Sequence, residues 1–357
     1  MIFSFSGLMA MKVSKGKKIA GIVILLVMLT GISVLIAGYK LVYSPSVLIP
    51  EGEHKHIFIQ TGWGFDETMN MLEEEGLLRY PSIFRRVAEL KKYPAMVRPG
   101  RFRIESGMGN IHLVNHLRIG RQDPVKVIFN HIRTPQQLAG RIARQIEADS
   151  LSLITEILSD SFFQQYGIPE HQIAMMFIPN TYEFFWNTSA EGFVQRMHRE
   201  FLAFWNEHRL ERLEQIGISK AEVATLASII EMETNKNDEK ERIAGVYMNR
   251  LRIGMRLQAD PTLVFAHGDF KIRRVLNRHK QIDSPYNTYK YAGLPPGPIS
   301  FPSVSSIDAV LNYEKHDYFY FAAREDFSGY HNFARTYQQH LANARRYHRA
   351  LNENNIR

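Results

Sequence analysis

The longest apolar stretch of the chain runs from Ile19 to Tyr39 and contains no charged residue. Its length of about 21 residues is enough to cross the hydrocarbon core of a bilayer as a helix. A cleaved signal peptide is the alternative, but the run is longer than a typical signal core, and no small-residue cleavage pattern follows it. The pattern therefore predicts an uncleaved transmembrane helix over residues 19–39.

The charges on either side of this run are unequal. Basic residues of membrane proteins concentrate on the cytoplasmic side, so residues 1–18 are predicted to lie in the cytosol and the rest of the chain outside. Met11 is an alternative start to Met1. Four lysines precede the run and one follows it closely: Lys12, Lys15, Lys17, Lys18 and Lys40.

After a linker over residues 40–53, residues 54–122 show the pattern of a small module. Short alternating runs predict two strands, and amphipathic runs predict three helices, in the order strand, helix, helix, strand, helix. The last helix is expected to end at Gly120. This β-α-α-β order resembles LysM-like glycan-binding modules, in which Trp63 is a candidate stacking residue; a packing role is the alternative.

The pattern over residues 123–357 predicts a larger domain that contains both helices and strands. VKVIFNHI reads as a strand, and Thr134 followed by Pro135 is a suitable helix start. The pattern then predicts helix 149–166, an aromatic Pro-Asn turn in 177–189 and helix 192–215. Further along it predicts an extended or turn-rich segment at Asp260-Pro261 and a Pro- and Gly-rich loop in 284–303. The last predicted elements are a hairpin of YFYFAA with HNFA and a basic helix from Tyr337.

The clearest helix signal lies in the middle of this domain. Ser219 followed by Glu222 fits a capping box, so a helix is expected to begin near Lys220. Apolar residues then recur at helical spacing and define a face toward the core. These residues are Val223, Leu226, Ala227 and Ile230. The following helix is expected to turn Ile243, Val246, Tyr247 and Leu251 inward and its arginines outward.

Glu231 and Glu233 flank the apolar face on opposite sides. On a helical projection Glu233 falls beside Leu226 and Ile229, whereas Glu231 falls beside Ala227. Desolvation disfavours a carboxylate, so Glu233 in the more apolar surroundings is a candidate general acid that stays protonated near neutral pH. The alternative is that both glutamates are solvated residues at the edge of the helix.

Composition narrows the possible classes of function. The chain has no cysteine, which excludes thiol catalysis and thiolate metal sites. His112 and His116 are four residues apart, but no third ligand accompanies them, so no metal site is predicted. The net charge of +8 suits an anionic membrane surface or an acidic polymer such as cell-wall glycan. Basic residues are spread along the chain, so nucleic acid is not an expected partner.

Five segments together resemble the YceG-like endolytic murein transglycosylases. They occur in the order found in that family and are FIPNTYEFFWNTS, LASIIEMET, VYMNRLRIGMRLQADPT, SPYNTYKYAGLPPGPISFPS and HNFARTYQQH. The resemblance covers nearly everything after the apolar run. It implies an α+β protein with a single N-terminal transmembrane helix, a small LysM-like β-α-α-β module over 54–122 and a mixed α/β catalytic domain over 123–357.

The resemblance also implies an environment and partners. It places the protein in the inner or plasma membrane as a single-pass protein, with the catalytic domain on the periplasmic side. Peptidoglycan glycan strands are the expected substrate, and membrane peptidoglycan synthases are expected partners. Neither a metal nor an organic cofactor is expected.

In the family the catalytic acid belongs to the EMET segment. Glu233-Thr234 looks like the Glu-Ser pair of other lytic transglycosylases, so Glu233 is the first choice for the catalytic residue and Glu231 the second. Residues in the other matching segments are expected to line the glycan cleft. These are Gln258, Asp260, Tyr286, Asn287, Tyr289 and Asn332.

The implied reaction cuts the β-1,4 bond between N-acetylmuramic acid (MurNAc) and N-acetylglucosamine (GlcNAc) and leaves a 1,6-anhydro end. One carboxyl suffices, because the substrate's own C6 hydroxyl supplies the attacking oxygen. A hydrolytic muramidase that uses Asp260 as a second carboxylate is one alternative. A non-catalytic, membrane-anchored scaffold that binds glycan is the other.

Overall fold

The computed structural model describes residues 15–354. The predictions for residues 1–14, including the choice between Met1 and Met11 and the position of Lys12, lie outside this range. Contacts divide the chain into two compact units, one that ends at Asp123 and one that begins at Pro124. Each unit has its own hydrophobic core.

Helix α1 spans Lys15–Tyr43. Its segment Ile19–Lys40 is 22 residues long and apolar enough to cross a membrane, in agreement with the predicted run. None of this segment is buried against the rest of the protein. Large apolar side chains such as Leu25 and Ile32 are therefore fully available to a surrounding apolar phase.

The first unit continues with the predicted order of elements. Strands β1 (His54–Ile59) and β2 (Gly100–Glu105) pair antiparallel, with Ile57 opposite Phe102, and both of these side chains are buried. Gly120 ends the last helix with a φ of 71°, a left-handed conformation that glycine adopts without strain. The elements are β1 (His54–Ile59), α2 (Phe65–Glu74), α3 (Pro81–Leu90), β2 (Gly100–Glu105) and α4 (Asn110–Ile119).

Trp63 is partly buried and packs against the core of this unit. Its environment is therefore that of a packing residue at the edge of the core. A LysM-like identity for residues 54–122 stays a prediction, since the order of elements agrees with it without being specific to it.

The second unit contains two antiparallel strand pairs and ten helices among its described residues. Its elements are β3 (Val125–Phe129), α5 (Pro135–Ile142), α6 (Ser150–Ile157), α7 (Asp160–Tyr166), β4 (Asn180–Phe184), α8 (Ala190–Phe204), α9 (Glu207–Ile216), α10 (Lys220–Glu233), α11 (Asn237–Arg252), α12 (Asp260–His267), α13 (Val304–Leu311), β5 (Tyr320–Ala323), β6 (His331–Ala334) and α14 (Tyr337–Glu353). Strand β3 pairs with β4, and β5 pairs with β6.

Helix α10 lies at the centre of this unit. It begins with the predicted capping box, in which Ser219 Oγ accepts from the Glu222 backbone N–H and the Glu222 carboxylate accepts from that of Ser219. Every residue from Val223 to Ile230 is buried. The helix is therefore enclosed on all sides, and not only along the predicted stripe, because α11 and α13 pack against it.

Several predicted boundaries were wrong for local reasons. Residues 149–166 form two helices, because Ser159 caps a new helix by accepting a hydrogen bond from the Phe162 backbone. Residues 192–215 are likewise divided between α8 and α9, where Asn206 caps the second helix. In both places a continuous amphipathic pattern predicted one helix, although an N-cap residue within it begins a second helix.

Two segments were assigned the wrong type of structure. Residues 180–184 were interpreted as part of an aromatic turn, but they form β4 and pair with β3 along its whole length. The Asp260-Pro261 segment was interpreted as turn-rich, but it opens helix α12. Proline in the first turn needs no backbone N–H and is compatible with a helix start.

Candidate active site

Glu233 is the last residue of α10. Thr234 adopts an extended conformation with φ −144° and ψ 142°, which ends the helix directly after it. Because the helix interior is packed on all sides, the backbone that carries Glu233 is held firmly. The side chain lines a cavity of about 910 Å3.

The Glu233 side chain is half-buried, and its carboxyl group accepts one hydrogen bond within residues 15–354. Tyr247 Oη donates to Glu233 Oε1 over 2.7 Å. Burial raises the pKa of Glu233 from 4.5 to about 7, and the negative charge of Asp260 acts in the same direction. The hydrogen bond from Tyr247 and the positive charge of Arg250 act against this rise. The balance leaves a carboxyl group that is substantially protonated near neutral pH.

Tyr247 is positioned by helix α11 and is 1% exposed. Its ring packs edge-on against Phe321 of β5, with 5.8 Å between ring centroids. Burial, together with the neighbouring Glu233, raises the pKa of the Tyr247 hydroxyl well above its ordinary value. The hydroxyl therefore remains a hydrogen-bond donor to Glu233 at any physiological pH.

Arg250 lies one turn further along α11 and is buried, which corrects the expectation that the arginines of this helix point outward. Its Nε donates to the backbone carbonyl of Phe319 over 2.6 Å, and its Nη1 donates to that of Leu257 over 2.5 Å. These bonds connect α11 to the segment that precedes α12 and to the start of the β5–β6 hairpin. Arg250 thus joins these segments and supplies positive charge near Glu233.

Asp260 begins helix α12 and lines the same cavity as Glu233. Tyr289 Oη donates to Asp260 Oδ1 over 2.5 Å. Two glutamate or aspartate side chains thus face one space, and each accepts a hydrogen bond from a tyrosine. The remaining lining is largely apolar or basic and consists of Arg133, Met232, Pro261, Val264, Phe265, Phe270, Ile272, Arg273, Arg274, Val275, Ile299, Tyr347, His348 and Leu351.

Glu231 faces a second, separate cavity of about 670 Å3. Its Oε2 lies 3.1 Å from Lys240 Nζ and accepts hydrogen bonds of 2.5 Å from both Ser303 and Ser306. Burial acts to raise the pKa of Glu231, but the two serine hydrogen bonds and Lys240 outweigh it, so the pKa lies below its ordinary value. Glu231 is an ionised residue that ties α10 to α11 and α13.

The other predicted cleft residues are not among the described residues that line the Glu233 cavity. Gln258, two residues before Asp260, is exposed and has a φ of 50°, a strained conformation for a residue with a side chain. Tyr286 packs its ring against Phe265 at 4.7 Å between centroids.

Asn287 and Asn332 are not among the described residues that line the Glu233 cavity. Asn287 is fully buried, and its amide nitrogen donates to the carbonyls of Lys280 and Ile282. Asn332 lies on β6 and donates to Glu325. These hydrogen bonds organise a loop and a hairpin, and a contact of Asn287 or Asn332 with glycan stays a prediction.

Within residues 15–354, no group of three or more histidine, aspartate or glutamate side chains is arranged to hold a metal ion. The Nε2 atom of His116 is buried without a hydrogen-bond partner in this part of the chain. Desolvation lowers the pKa of that histidine, which favours its neutral form.

Comparison with known proteins assigns the family. Residues 57–346 match the model of the YceG-like family. The chain belongs to the YceG-like family. The match begins within β1 and ends in the middle of α14, and it includes every described residue of the Glu233 cavity except Tyr347, His348 and Leu351.

Two relatives of this YceG-like chain are both named endolytic murein transglycosylase. An endolytic murein transglycosylase of Bacillus subtilis is 28% identical over 339 residues, which are 89% of this chain and 93% of the relative. An endolytic murein transglycosylase of Streptococcus pneumoniae is 25% identical over 323 residues, or 80% of this chain. The match spans only 57% of that longer streptococcal protein.

The fold is also found in a crystal structure. A yceG-like protein from Listeria monocytogenes is 28% identical, with a TM-score of 0.54. The superposition covers 81% of this YceG-like chain and 99% of the Listeria chain. The architecture described above is therefore one that the family adopts.

Sequence reasoning did not identify Tyr247, Arg250 or Lys240 as parts of a site. Tyr247 was assigned to the core, which is correct, but a buried tyrosine hydroxyl needs a partner, and that requirement points to a nearby acid. Arg250 and Lys240 carry no comparable signal, since they also bond to Phe319 and Ser305, which are remote in sequence.

Proposed function

We propose that this protein is a membrane-anchored endolytic murein transglycosylase that uses Glu233 as its catalytic acid. It cleaves the β-1,4 bond between MurNAc and GlcNAc in peptidoglycan glycan strands and leaves a 1,6-anhydro-MurNAc end. The single observation that carries this proposal is a carboxyl group with a pKa of about 7 that lines a large cavity. The names of the curated relatives support the same activity.

Glu233 begins the reaction as an acid. In its protonated form it donates a proton to the glycosidic oxygen as that bond breaks and positive charge develops on the anomeric carbon of MurNAc. A pKa near the working pH makes both halves of the cycle accessible, because the group must first give a proton and then accept one. Tyr247 holds Oε1 in a fixed position throughout.

The second step closes a ring within the substrate. The Glu233 carboxylate takes the proton of the MurNAc C6 hydroxyl as that oxygen bonds to the anomeric carbon. The bond to the leaving GlcNAc hydroxyl is then fully broken, and Glu233 is protonated again. No water enters the products, since the attacking oxygen belongs to the same sugar.

Asp260 supports this chemistry by its charge. A carboxylate in the same cavity favours the protonated form of Glu233 before the reaction and stabilises the cationic centre that forms during it. In the alternative hydrolytic muramidase, Asp260 would act as the second carboxylate. Its hydrogen bond from Tyr289 favours a fixed, supporting carboxylate over a mobile base.

Helix α1 is proposed to anchor the protein in the inner or plasma membrane with its N-terminus in the cytosol. The apolar segment of α1 and the lysines that precede this segment support this orientation. The unit of residues 54–122 is then a LysM-like module that holds glycan near the membrane, and membrane peptidoglycan synthases are the proposed partners.

Product analysis tests the proposal. Full-length protein in detergent micelles is incubated with isolated peptidoglycan, and the fragments are examined by mass spectrometry for the wild type, Glu233→Gln and Glu231→Gln. We expect anhydro ends from the wild type and their loss in Glu233→Gln, while a folded Glu231→Gln retains them.

Other outcomes reject parts of the proposal. Reducing ends from the wild type would indicate a hydrolase, and loss in a folded Glu231→Gln alone would move the acid to Glu231. Binding of glycan without cleavage by folded wild type would favour the scaffold. Thermal unfolding of each variant distinguishes loss of chemistry from loss of structure.

A further inference from the structure

The Glu233 cavity has more basic than acidic residues in its lining. Three arginines and two acids face it: Arg133, Arg273, Arg274, Glu233 and Asp260. With Glu233 protonated for catalysis, only one negative charge remains against three positive ones. Where a stem peptide is attached, the lactyl carboxyl of MurNAc is bound in an amide and the sugar backbone carries no charge, so the positive charge of the cavity requires another explanation.

Arg133 is the most firmly positioned of the three arginines. It follows β3, directly before the Thr134 cap of α5, and its backbone N–H donates to Gln137 Oε1 over 2.9 Å. Its guanidinium lies over the ring of Phe270, 5.2 Å from the centroid. The side chain is half-buried. A planar cation fixed on an aromatic ring at a cavity wall is a preorganised site for a carboxylate.

The three arginines also lack carboxylate partners. In the part of the chain that the structure describes, none of them has an Asp or Glu oxygen within the 4.0 Å of an ion pair. Other arginines of the second unit do form such pairs, for example Arg209 with Asp308 at 2.8 Å. The guanidinium groups at the cavity are thus available to an anionic ligand.

We infer that Arg133, assisted by Arg273 and Arg274, binds a carboxylate of the stem peptide attached to the MurNAc residue in the cavity. This inference rests on the proposed function, and it names the form of the substrate: glycan that carries acidic peptides. Stem peptides bear free carboxylates that are lost when those groups are amidated. The cavity therefore distinguishes acidic stems from amidated ones, as well as recognising the sugar.

Arg273 and Arg274 differ from Arg133 in exposure. Both lie on the irregular segment after α12 and are exposed, so their contribution is mainly long-range attraction that salt screens. Arg133 is held by Phe270 and makes the direct bond. Replacement of Arg133 is therefore expected to remove selectivity, whereas replacement of the exposed pair reduces affinity for acidic strands in a salt-dependent manner.

The test measures binding separately from cleavage. The Glu233→Gln protein, which retains the cavity, is titrated calorimetrically with two sets of glycan strands of equal length, one with free stem carboxylates and one with the same stems amidated. We expect about tenfold tighter binding of the acidic strands, the usual strength of one charge-assisted hydrogen bond. Adding Arg133→Gln is expected to abolish this preference.

The matched control is Arg278→Gln. Arg278 is an exposed arginine on the same segment, and it is not among the described residues that line the Glu233 cavity. Its replacement is expected to leave the preference unchanged, whereas Arg273→Gln with Arg274→Gln lowers affinity for acidic strands at low salt. Because these two residues are exposed, this second variant keeps the test valid if Arg133→Gln does not fold.

Two results would overturn the inference: equal affinity of the Glu233→Gln protein for both strand types, or a preference that persists in both folded arginine variants. The proposed function fails in a different way. Wild-type protein that prefers acidic strands but produces no anhydro ends would contradict the transglycosylase while leaving stem recognition in place.

Discussion

Glu231 and Glu233 belong to the same turn of α10 but line two different cavities. Among the described residues, Glu233 accepts a single hydrogen bond, from a neutral tyrosine, whereas Glu231 is bonded to Lys240 and two serines. These surroundings move the two pKa values in opposite directions. One short segment thus holds Glu233, which favours its protonated form, and Glu231, which favours its carboxylate form.

The Glu231–Lys240 pair is expected to act as a structural unit. Lys240 is 5% exposed in its side chain, so Lys240→Met leaves a buried, partly uncompensated carboxylate and is expected to lower the free energy of unfolding by about 3 kcal/mol. Glu231→Gln combined with Lys240→Met removes both charges and is expected to cost less than Lys240→Met alone. Urea unfolding of the two single variants and the double variant measures this.

If the losses of unfolding free energy in the two single variants add up to the loss in the double variant, Glu231 and Lys240 are not a coupled pair. The same set of proteins also provides an activity control, because a folded double variant is expected to retain cleavage. Loss of anhydro products in a folded double variant would indicate that Glu231 takes part in the chemistry.

Tyr247→Phe is expected to shift the pH dependence of cleavage. The hydrogen bond from Tyr247 lowers the pKa of Glu233, so its removal raises that pKa above about 7. Cleavage requires protonated Glu233 and declines as pH rises through its pKa, so the alkaline limb of the profile moves to higher pH in the variant. Rates of anhydro-end formation across the pH range give the comparison.

Phe321→Leu is a suitable control for Tyr247→Phe. It disturbs the ring contact with Tyr247 but leaves the hydroxyl in place, so it is expected to change the rate without moving the alkaline limb. An unchanged or acid-shifted limb in Tyr247→Phe would contradict the assigned role of the hydrogen bond.

Glu233 is expected to reduce stability above neutral pH. Between its ordinary pKa of 4.5 and its folded value of about 7, the folded protein holds this proton more tightly than the unfolded chain. The free energy of unfolding therefore falls as pH rises through this range, by up to about 3 kcal/mol. Glu233→Gln removes that loss and is expected to be more stable than wild type at about pH 8.

The two proteins should converge in stability at about pH 3.5, below the ordinary pKa of 4.5, where Glu233 is mostly protonated in both states. Denaturant unfolding at the two pH values measures the difference. Glu214→Gln, at an exposed position on α9, is the control and is expected to show little change. A gain of equal size at both pH values would contradict a protonation effect.

Gly297 is expected to tolerate no side chain. A Cβ atom there would lie 1.8 Å from the backbone oxygen of His171, which cannot move away as a flexible side chain would. Nearby, Ile299 donates to Ser228 Oγ on α10 over 2.9 Å, so displacement of this loop also disturbs the central helix. Gly297→Ala is expected to lower the free energy of unfolding by about 1–3 kcal/mol.

Gly140, within α5, is the matched control for Gly297. A Cβ atom at Gly140 meets nothing within 4 Å, so Gly140→Ala is expected to be neutral or to stabilise the protein by up to about 1 kcal/mol through helix propensity. Thermal or urea unfolding distinguishes the two. Equal effects of the two substitutions would contradict the steric explanation.

Local signals explain which parts of the fold could be predicted. The start of α10 follows from the Ser219 and Glu222 capping box, and the end of α4 from Gly120, because each depends on residues close together in sequence. The strand β4 was missed because its pairing partner β3 is remote. Helix α12 was missed because Asp260-Pro261 is equally compatible with a turn and with a helix start.

The candidate site divides in the same way. The apolar surroundings of Glu233 could be predicted from helical spacing alone. In the structure, burial in these surroundings raises the pKa of Glu233. The partners of Glu233 and Glu231 could not, because Tyr247 and Ser303 come from other elements that fold against α10. Spacing along one helix gives the environment of a residue, but its hydrogen bonds depend on tertiary packing.

The origin of the oxygen in the products tests the central claim most directly. Wild-type protein is allowed to cleave peptidoglycan in water enriched in heavy oxygen, and the new MurNAc ends are weighed by mass spectrometry. Attack by the C6 hydroxyl predicts anhydro ends without the label, and their absence in folded Glu233→Gln. New reducing ends that carry the heavy oxygen would contradict the account, since they would show that water, and not the substrate's own hydroxyl, attacks the anomeric carbon.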